Sequence, residues 1–184
     1  MRAQHDRGAE IWRSAAAGAL GGVIGSSAMV LFNHLLASTG FGRHDLGRRA
    51  QQRRIDAKPN DTDGTIADEP ASRKVASNLT QAALGKPLGE RGRRIGGPLV
   101  HHAFGAVAGA VYGAAAARSP RVAAGGGMPY GALVWLAGAE AGVPLAKLSY
   151  PPTSYPPARH AASLATHLVF GATVETVRRL MTRR

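Results

Sequence analysis

Residues 14–37 read SAAAGALGGVIGSSAMVLFNHLLA, 24 positions without an Asp, Glu, Lys or Arg. This stretch decides the fold class. At roughly 1.5 Å rise per residue, about 20 mainly apolar residues form a helix that can cross a bilayer. Three more stretches follow the same pattern. Residues 95–117 carry no charge, 122–146 carry only Glu140, and 160–177 carry only Glu175. Helices of soluble domains keep a polar stripe, and four stretches without one point to lipid. The expected fold is all-α: a four-helix transmembrane bundle with helices at 14–37, 95–117, 122–146 and 160–177. The stretch 14–37 follows Arg2, Arg7 and Arg13, as a signal peptide would. Its apolar run exceeds the about 7–15 residues of a signal core and ends in no A-x-A site, so a retained anchor is expected.

The rest of the composition narrows the field. The chain has 184 residues, 23 Lys and Arg against 11 Asp and Glu, and no Cys. Without Cys there are no disulfides, thiolate zinc sites, iron–sulfur clusters or cysteine nucleophiles. G-x-S-x-G, P-loop and dinucleotide fingerprints are absent too, and a non-enzymatic protein without a cofactor is expected. Gly125–Gly127 precede Met128-Pro129 at the start of a helix, where they ease a turn.

Charge sets the expected sidedness. With four spans, residues 1–13, the turn 118–121 and the tail 178–184 share one side. They hold nine of the basic residues in 24 positions. The loop 38–94 holds 12 and the Pro-rich loop 147–159 holds two. The denser side is the cytoplasmic one, which puts both termini in the cytoplasm and both longer loops on the opposite side of the membrane. Arg43–Lys58 is basic and without interleaved aromatics, which fits anionic headgroups rather than nucleic acid. Pro59–Asp68 reads as a turn-rich linker. Residues 69–84 read as a short amphipathic helix lying on the membrane or on the bundle, with Pro70 in its first turn, Gly85 as its stop, and Val75, Leu79 and Ala82 or Ala83 on one face.

Glycine recurs every fourth position: Gly18 and Gly22, Gly21 and Gly25, Gly105, Gly109 and Gly113, and Gly138 and Gly142. Such spacing lets two helix backbones approach closely. It serves packing within one bundle better than a pore of several copies. The expected surroundings are the lipid bilayer, with a second copy of the chain or another membrane protein as partner.

The ionisable residues fall at one depth. In alternating helices, His34, His101, His102, Glu140, His160 and His167 all lie in the outer half. Glu140 and His167 sit roughly 9 and 10 Å inward from the helix ends at 1.5 Å per residue. Intramembrane ionisable groups face the interior or a water-filled cavity. Three readings compete: interfacial histidines, a proton-responsive cluster of imidazoles with a carboxylate partner, and a metal or haem site. No H-x-x-x-H or H-E-x-x-H spacing favours the third, and no metal ligand is assigned. Glu175 stands apart, because Arg178 and Arg179 follow at three and four residues and suffice for a helix-end ion pair.

Several motifs also resemble a known family. Val100-His101-His102-Ala103-Phe104-Gly105 with Gly109, Tyr112 and Gly113 is similar to the second-helix motif of the YagU-like family of small bacterial inner-membrane proteins. Val134-Trp135-Leu136 with Glu140 and Val143-Pro144 resembles the third-helix motif, and Leu148-Ser149 with Pro151-Pro152 the loop after it. His167–Gly171, Glu175 and Arg178-Arg179 resemble the fourth-helix ending, and Ala71–Leu88 a segment of the first loop. Together these cover about two thirds of the chain. The resemblance implies four helices, cytoplasmic termini, a long periplasmic first loop and a loose association with acid resistance. The chain departs from the pattern at His102, where tyrosine is commoner, and at Ala139, where an acidic residue often precedes Glu140. The function expected is support of envelope or acid-stress tolerance, pH-responsive through the His/Glu cluster. The alternatives are a small channel or transporter, a structural subunit of a membrane complex, and a haem-binding bundle.

Overall fold

The computed structural model describes residues 2–39 and 70–183, with side chains from residue 7 onward; the tracts at 43–58 and 59–68 lie outside the described residues. All regular elements among the described residues are helical. Helix α1 is Arg2–Ser38, α2 is Ala71–Leu84, α3 is Glu90–Arg118, α4 is Met128–Val134 and α5 is Pro157–Thr182. A 3-10 segment, Pro120–Gly127, leads into α4. A π-helix, Trp135–Gly142, and one α turn, Val143–Leu145, continue α4 toward the Pro-rich loop.

Two segments, Arg7–Ser38 within α1 and Glu90–Arg118, are long and apolar enough to cross a membrane. The other two expected spans differ. α5 has the length, but His160, His167 and Glu175 lower its apolarity. Residues 122–146 do not form one continuous α-helix. Gly125, Gly126 and Gly127 take positive φ values of 65°, 65° and 83°, which suit glycine and interrupt the helical path. α4 therefore starts at Met128, with Pro129 in its first turn. Further on, Pro144 has no N–H to return to the Glu140 carbonyl. The backbone widens there, and the Val143 N–H bonds the Gly138 carbonyl five residues back.

The helices are held together by places where side chains are missing. α1 and α3 run antiparallel, with Ser14, Gly18 and Gly22 meeting Gly113, Gly109 and Gly105 in turn. A Cβ on Gly18 would overlap the Gly109 carbonyl oxygen, and one on Gly22 that of Gly105. The Ser14 hydroxyl donates to the Gly113 carbonyl at 2.7 Å and closes this seam at one end. On another face of α1, Gly21 meets Val174 and Gly25 meets Phe170, so α5 is antiparallel to α1 as well. The two glycine pairs of α1 thus serve two different neighbours. Gly105, Gly109 and Gly113 all lie in the α1–α3 seam. Gly138 and Gly142 do not act as a packing pair: neither would bring a Cβ against another element, because the π-helix turns them away from the helix contacts. The close contact between α4 and α5 is made by Gly127 and Gly131, against Gly171 and the His167 carbonyl.

The distribution of size follows from these seams. The buried set is small or polar for the most part, including Ser14, Ala17, Ser26, Ala116 and Thr166, with Met29, Tyr112, Phe170 and Val174 as its larger members. Large aliphatic and aromatic side chains point outward: Leu31 is 61% exposed, Phe104 62% and Val107 64%. A monomer in water rarely exposes such a belt. Small residues inside and large apolar ones outside is the arrangement of helices packed in lipid.

α2 lies on α3 through Ala76 and Ser77, and Gly96 and Gly97 make room for Ala76 and Arg73. The face that carries Val75, Leu79 and Ala82, expected to lie on the membrane or on the bundle, is a different one. Leu79 is exposed, because the paired glycines of α3 select the small side of α2 instead. Gly85 ends α2 in the left-handed conformation expected of a helix stop.

A Gly109→Val chain is expected to lose about 1–3 kcal/mol of stability or fail to assemble, because backbone must move to admit the side chain. Gly138→Ala is expected to melt at or above the wild-type temperature in detergent. A neutral Gly109→Val would show that the seam is not close-packed.

Candidate functional site at the loop end of the bundle

The end of the bundle that carries α2 and the Pro-rich loop collects most of the predicted site residues. His160, in the first turns of α5, points its Nδ1 at Glu140 Oε1 on the π-helix, 2.9 Å away. Its Nε2 lies 3.0 Å from the Pro152 carbonyl. Both partners are acceptors when the carboxylate is ionised, so only the imidazolium, with two N–H groups, satisfies both contacts. The protonated ring thereby clamps α5, the π-helix and the Pro-rich loop together. A cavity of about 390 Å³ lies beside this pair, bordered by Tyr150, Tyr155 and Arg159. The Arg159 guanidinium stacks 3.8 Å from the centre of the Tyr155 ring.

A second, larger cavity of about 520 Å³ adjoins the first, sharing Ala139, Val143 and Leu148. Its walls come from α1, α3, the π-helix and α5, and α2 covers it with Ala71, Ser72 and Val75. They are almost wholly apolar. The polar exceptions include His101, His167 and Ser26. His167 Nδ1 donates to the Ser163 carbonyl at 2.8 Å, since a carbonyl can only accept. Ser26 is 1% exposed and its hydroxyl has no partner. It continues the spacing of Ser14, Gly18 and Gly22, and its oxygen packs on Gly105 of α3 within the seam.

The remaining expected members are placed differently. His102 is tied up locally: its Nδ1 donates to the Pro98 carbonyl at 2.8 Å, and its Nε2 accepts from the Ser27 hydroxyl at 3.0 Å. His34 is exposed on α1 and lines neither cavity. The six residues are thus a bonded pair (His160 and Glu140), two histidines sharing an apolar cavity (His101 and His167), and two outliers. Asn33 joins α1 to α5 by accepting from the Thr166 hydroxyl at 2.9 Å. Among the described residues, no group of three or more His, Asp or Glu could hold a metal ion.

The opposite end, where the first turns of α1 and the last turns of α5 lie side by side, holds a second ionic group. Glu175 is 2% exposed. Arg178 donates to both its oxygens, at 2.7 and 2.9 Å, and Arg179 to Oε1. The expected helix-end ion pair is therefore present, with a third partner that spacing does not reveal. Tyr112, fully buried on α3, donates its hydroxyl to Glu175 Oε2 at 2.8 Å. The Tyr112 ring packs 4.8 Å from that of Tyr130, whose hydroxyl donates to the Ala108 carbonyl. Glu175 thus links α5 to α3 in a fully hydrogen-bonded, buried arrangement, the condition under which a buried carboxylate is tolerated.

Comparison with known proteins gives one partial family match and no activity. Residues 86–176, just under half of the chain, match the family described as "Protein of unknown function (DUF1440)". The matched segment begins just after α2 and runs through α3, the π-helix and most of α5; it contains the His160–Glu140 pair, Tyr112 and Glu175, and ends before Arg178 and Arg179. No curated protein matches the chain, and no solved structure does.

Tyr112→Phe is expected to destabilise the protein by about 1.5–3 kcal/mol, the usual contribution of a hydrogen bond to a charged group. Arg178→Ala is expected to cost more, because it strips two donors from a buried carboxylate. Chemical unfolding of the two variants in detergent measures both, and a Tyr112→Phe chain as stable as wild type would refute the linkage.

Proposed function

We propose that the protein is a non-enzymatic, multi-pass inner-membrane bundle that stabilises the cell envelope under acid, with its loop end as the proton-responsive part. In this reading α1, α3, the segment from α4 through the π-helix, and α5 each cross the bilayer. Both termini lie in the cytoplasm and α2 lies at the periplasmic surface. The outward-facing large apolar side chains of α1 and α3 support the membrane setting, together with the apolar length of those helices. Basic density at the termini supports the orientation. The likeness of the helix motifs to the YagU-like family supports the link to acid.

One observation carries the proton response: both nitrogens of His160 face acceptors, Glu140 and the Pro152 carbonyl. Histidine exchanges its proton in the range that separates neutral from mildly acidic surroundings. In acid the ring carries two N–H groups and the clamp is complete. As pH rises and the ring loses a proton, one nitrogen presents a lone pair to an acceptor and the clamp loosens. The loop end is therefore tightened by external acid, which suits a protein that must hold its shape when the periplasm acidifies. The other histidines of the set take no direct part in this pair.

The melting temperature in detergent is expected to rise as pH falls from about 8 to about 6, the range in which imidazole is protonated. His160→Gln and Glu140→Gln are expected to flatten that rise, with little change at the high-pH end. His34→Gln serves as a control and leaves the profile unaltered. An unchanged pH profile in His160→Gln would overturn the proposal.

A further inference from the structure

We propose that the smaller cavity at the loop end binds a small organic monocarboxylate, its two oxygens held by the Arg159 guanidinium and the Tyr155 hydroxyl. This goes beyond the acid clamp, which uses Glu140 and His160 and neither of these two side chains, so either reading can fail without the other.

The cavity holds about 390 Å³, at the small end for a ligand site, and the charged side chains on its walls are Glu140, Arg159 and His160. Glu140 and His160 are bonded to each other at 2.9 Å, and the other imidazole nitrogen meets the Pro152 carbonyl. Arg159 has no such counterpart. Its guanidinium lies 3.8 Å from the centre of the Tyr155 ring, and among the described residues no carboxylate is within ion-pair distance of it. The His160 ring stands at a steep angle to the same tyrosine, with centres 6.5 Å apart. From α2, Lys74 adds positive charge nearby and holds the loop by donating to the Leu148 carbonyl at 2.9 Å. The walls thus carry one ion pair and one positive charge left over.

Tyr155 brings a second donor. Its hydroxyl oxygen accepts from the Tyr150 N–H at 3.2 Å, which leaves the hydroxyl hydrogen without an acceptor among the described residues. Because the guanidinium lies on this ring, its carbon and the phenolic oxygen are at most about 7 Å apart, a span that one carboxylate bridges with a hydrogen bond of about 2.9 Å at each oxygen. Ser149 spends its hydroxyl on the Tyr150 carbonyl, and Ser163 adds one more donor to the wall. Donors in excess, with a single unmatched positive charge, call for a monoanion that presents two acceptor oxygens. A carboxylate is that group. A phosphate would bring further negative charge toward Glu140, and a neutral amide would leave the guanidinium charge unmet. Val143, Pro144 and Leu148 supply apolar wall for the short hydrocarbon or aromatic remainder of the ligand.

The test is calorimetric titration of the full-length protein in detergent with sodium benzoate at about pH 6, where carboxylic acids are ionised. Saturable binding of one benzoate per chain is expected. Tyr155→Phe keeps the ring and its stacking, removes only the hydroxyl, and is expected to weaken binding about tenfold, the equivalent of one lost hydrogen bond to a charged group. Arg159 is exposed, so Arg159→Gln is expected to melt as the wild type does while weakening binding by at least about thirtyfold. Benzamide has the same shape without the charge and is expected to bind at least about tenfold more weakly than benzoate. Heat that never saturates, or that is the same in Arg159→Gln, would mean partitioning into the micelle and would overturn the proposal. So would equal affinity for benzamide, or displacement of benzoate by inorganic phosphate at lower concentration than benzoate itself needs, which would make this a site for phosphate or a phospholipid headgroup.

Discussion

The bundle depends on direct contact between backbones along the α1–α3 seam. Gly18, Gly22, Gly105 and Gly109 have no side chain to keep the helices apart; a Cβ on Gly18, Gly22 or Gly109 would occupy the space of a facing carbonyl oxygen, and one on Gly105 that of the Ser26 hydroxyl. At that separation Cα–H groups lie against carbonyls, and the attraction is the sum of many short-range contacts rather than of a few large side chains. The same device repeats between α1 and α5 and between α4 and α5. Three antiparallel contacts built alike fix the axial position of every helix, and with it the height at which each polar group sits.

A consequence is an inverted distribution of side chains. Small and hydroxyl-bearing residues make up most of the centre, with Phe170 and Val174 among its few larger members, whereas the other large apolar side chains, leucines above all, form the exterior. In water the exterior would be the liability; in hydrocarbon it is simply matched to its solvent. The two ionic groups obey the same constraint at opposite ends. Glu175 is saturated by Tyr112, Arg178 and Arg179, and Glu140 meets His160 close to the Pro-rich loop. Neither carboxylate is left alone in the apolar interior. By comparison the surface pair Arg94–Glu90, open to solvent on both sides, contributes little.

How much of this was legible in the sequence depended on whether the signal was local. Uncharged runs located α1 and α3, and a proline before and a glycine after located α2, since these cues act within a few residues. Four-residue glycine spacing identified the faces of α1 and α3 but misassigned Gly138 and Gly142, because a π-helix changes the angular step and no nearby residue announces it unambiguously. Glu175 with its two arginines was readable as an i, i+3, i+4 pattern, whereas Tyr112 belongs to another helix and only the fold brings it there. Alternating helices predicted that six ionisable residues would share a depth. Depth is not proximity, and rotation about each helix axis left His34 outside and bonded His160 to Glu140. The unpartnered hydroxyl of Ser26 had no sequence signature at all, for it shares the four-residue spacing of Ser14 and differs only in finding no carbonyl of α3 to donate to.

The π-helix also sets how the loop end can rearrange. A turn that returns its hydrogen bond five residues back holds one residue more than an α turn. If Trp135–Gly142 rewound to α geometry, every side chain beyond it would rotate by about 100°, one residue's step around the axis. Glu140 lies within that segment and His160 does not, so such a screw motion would part the ion pair without bending any helix or breaking a glycine contact. The extra residue of the widened turn is thus what sets Glu140 at the rotation that meets His160.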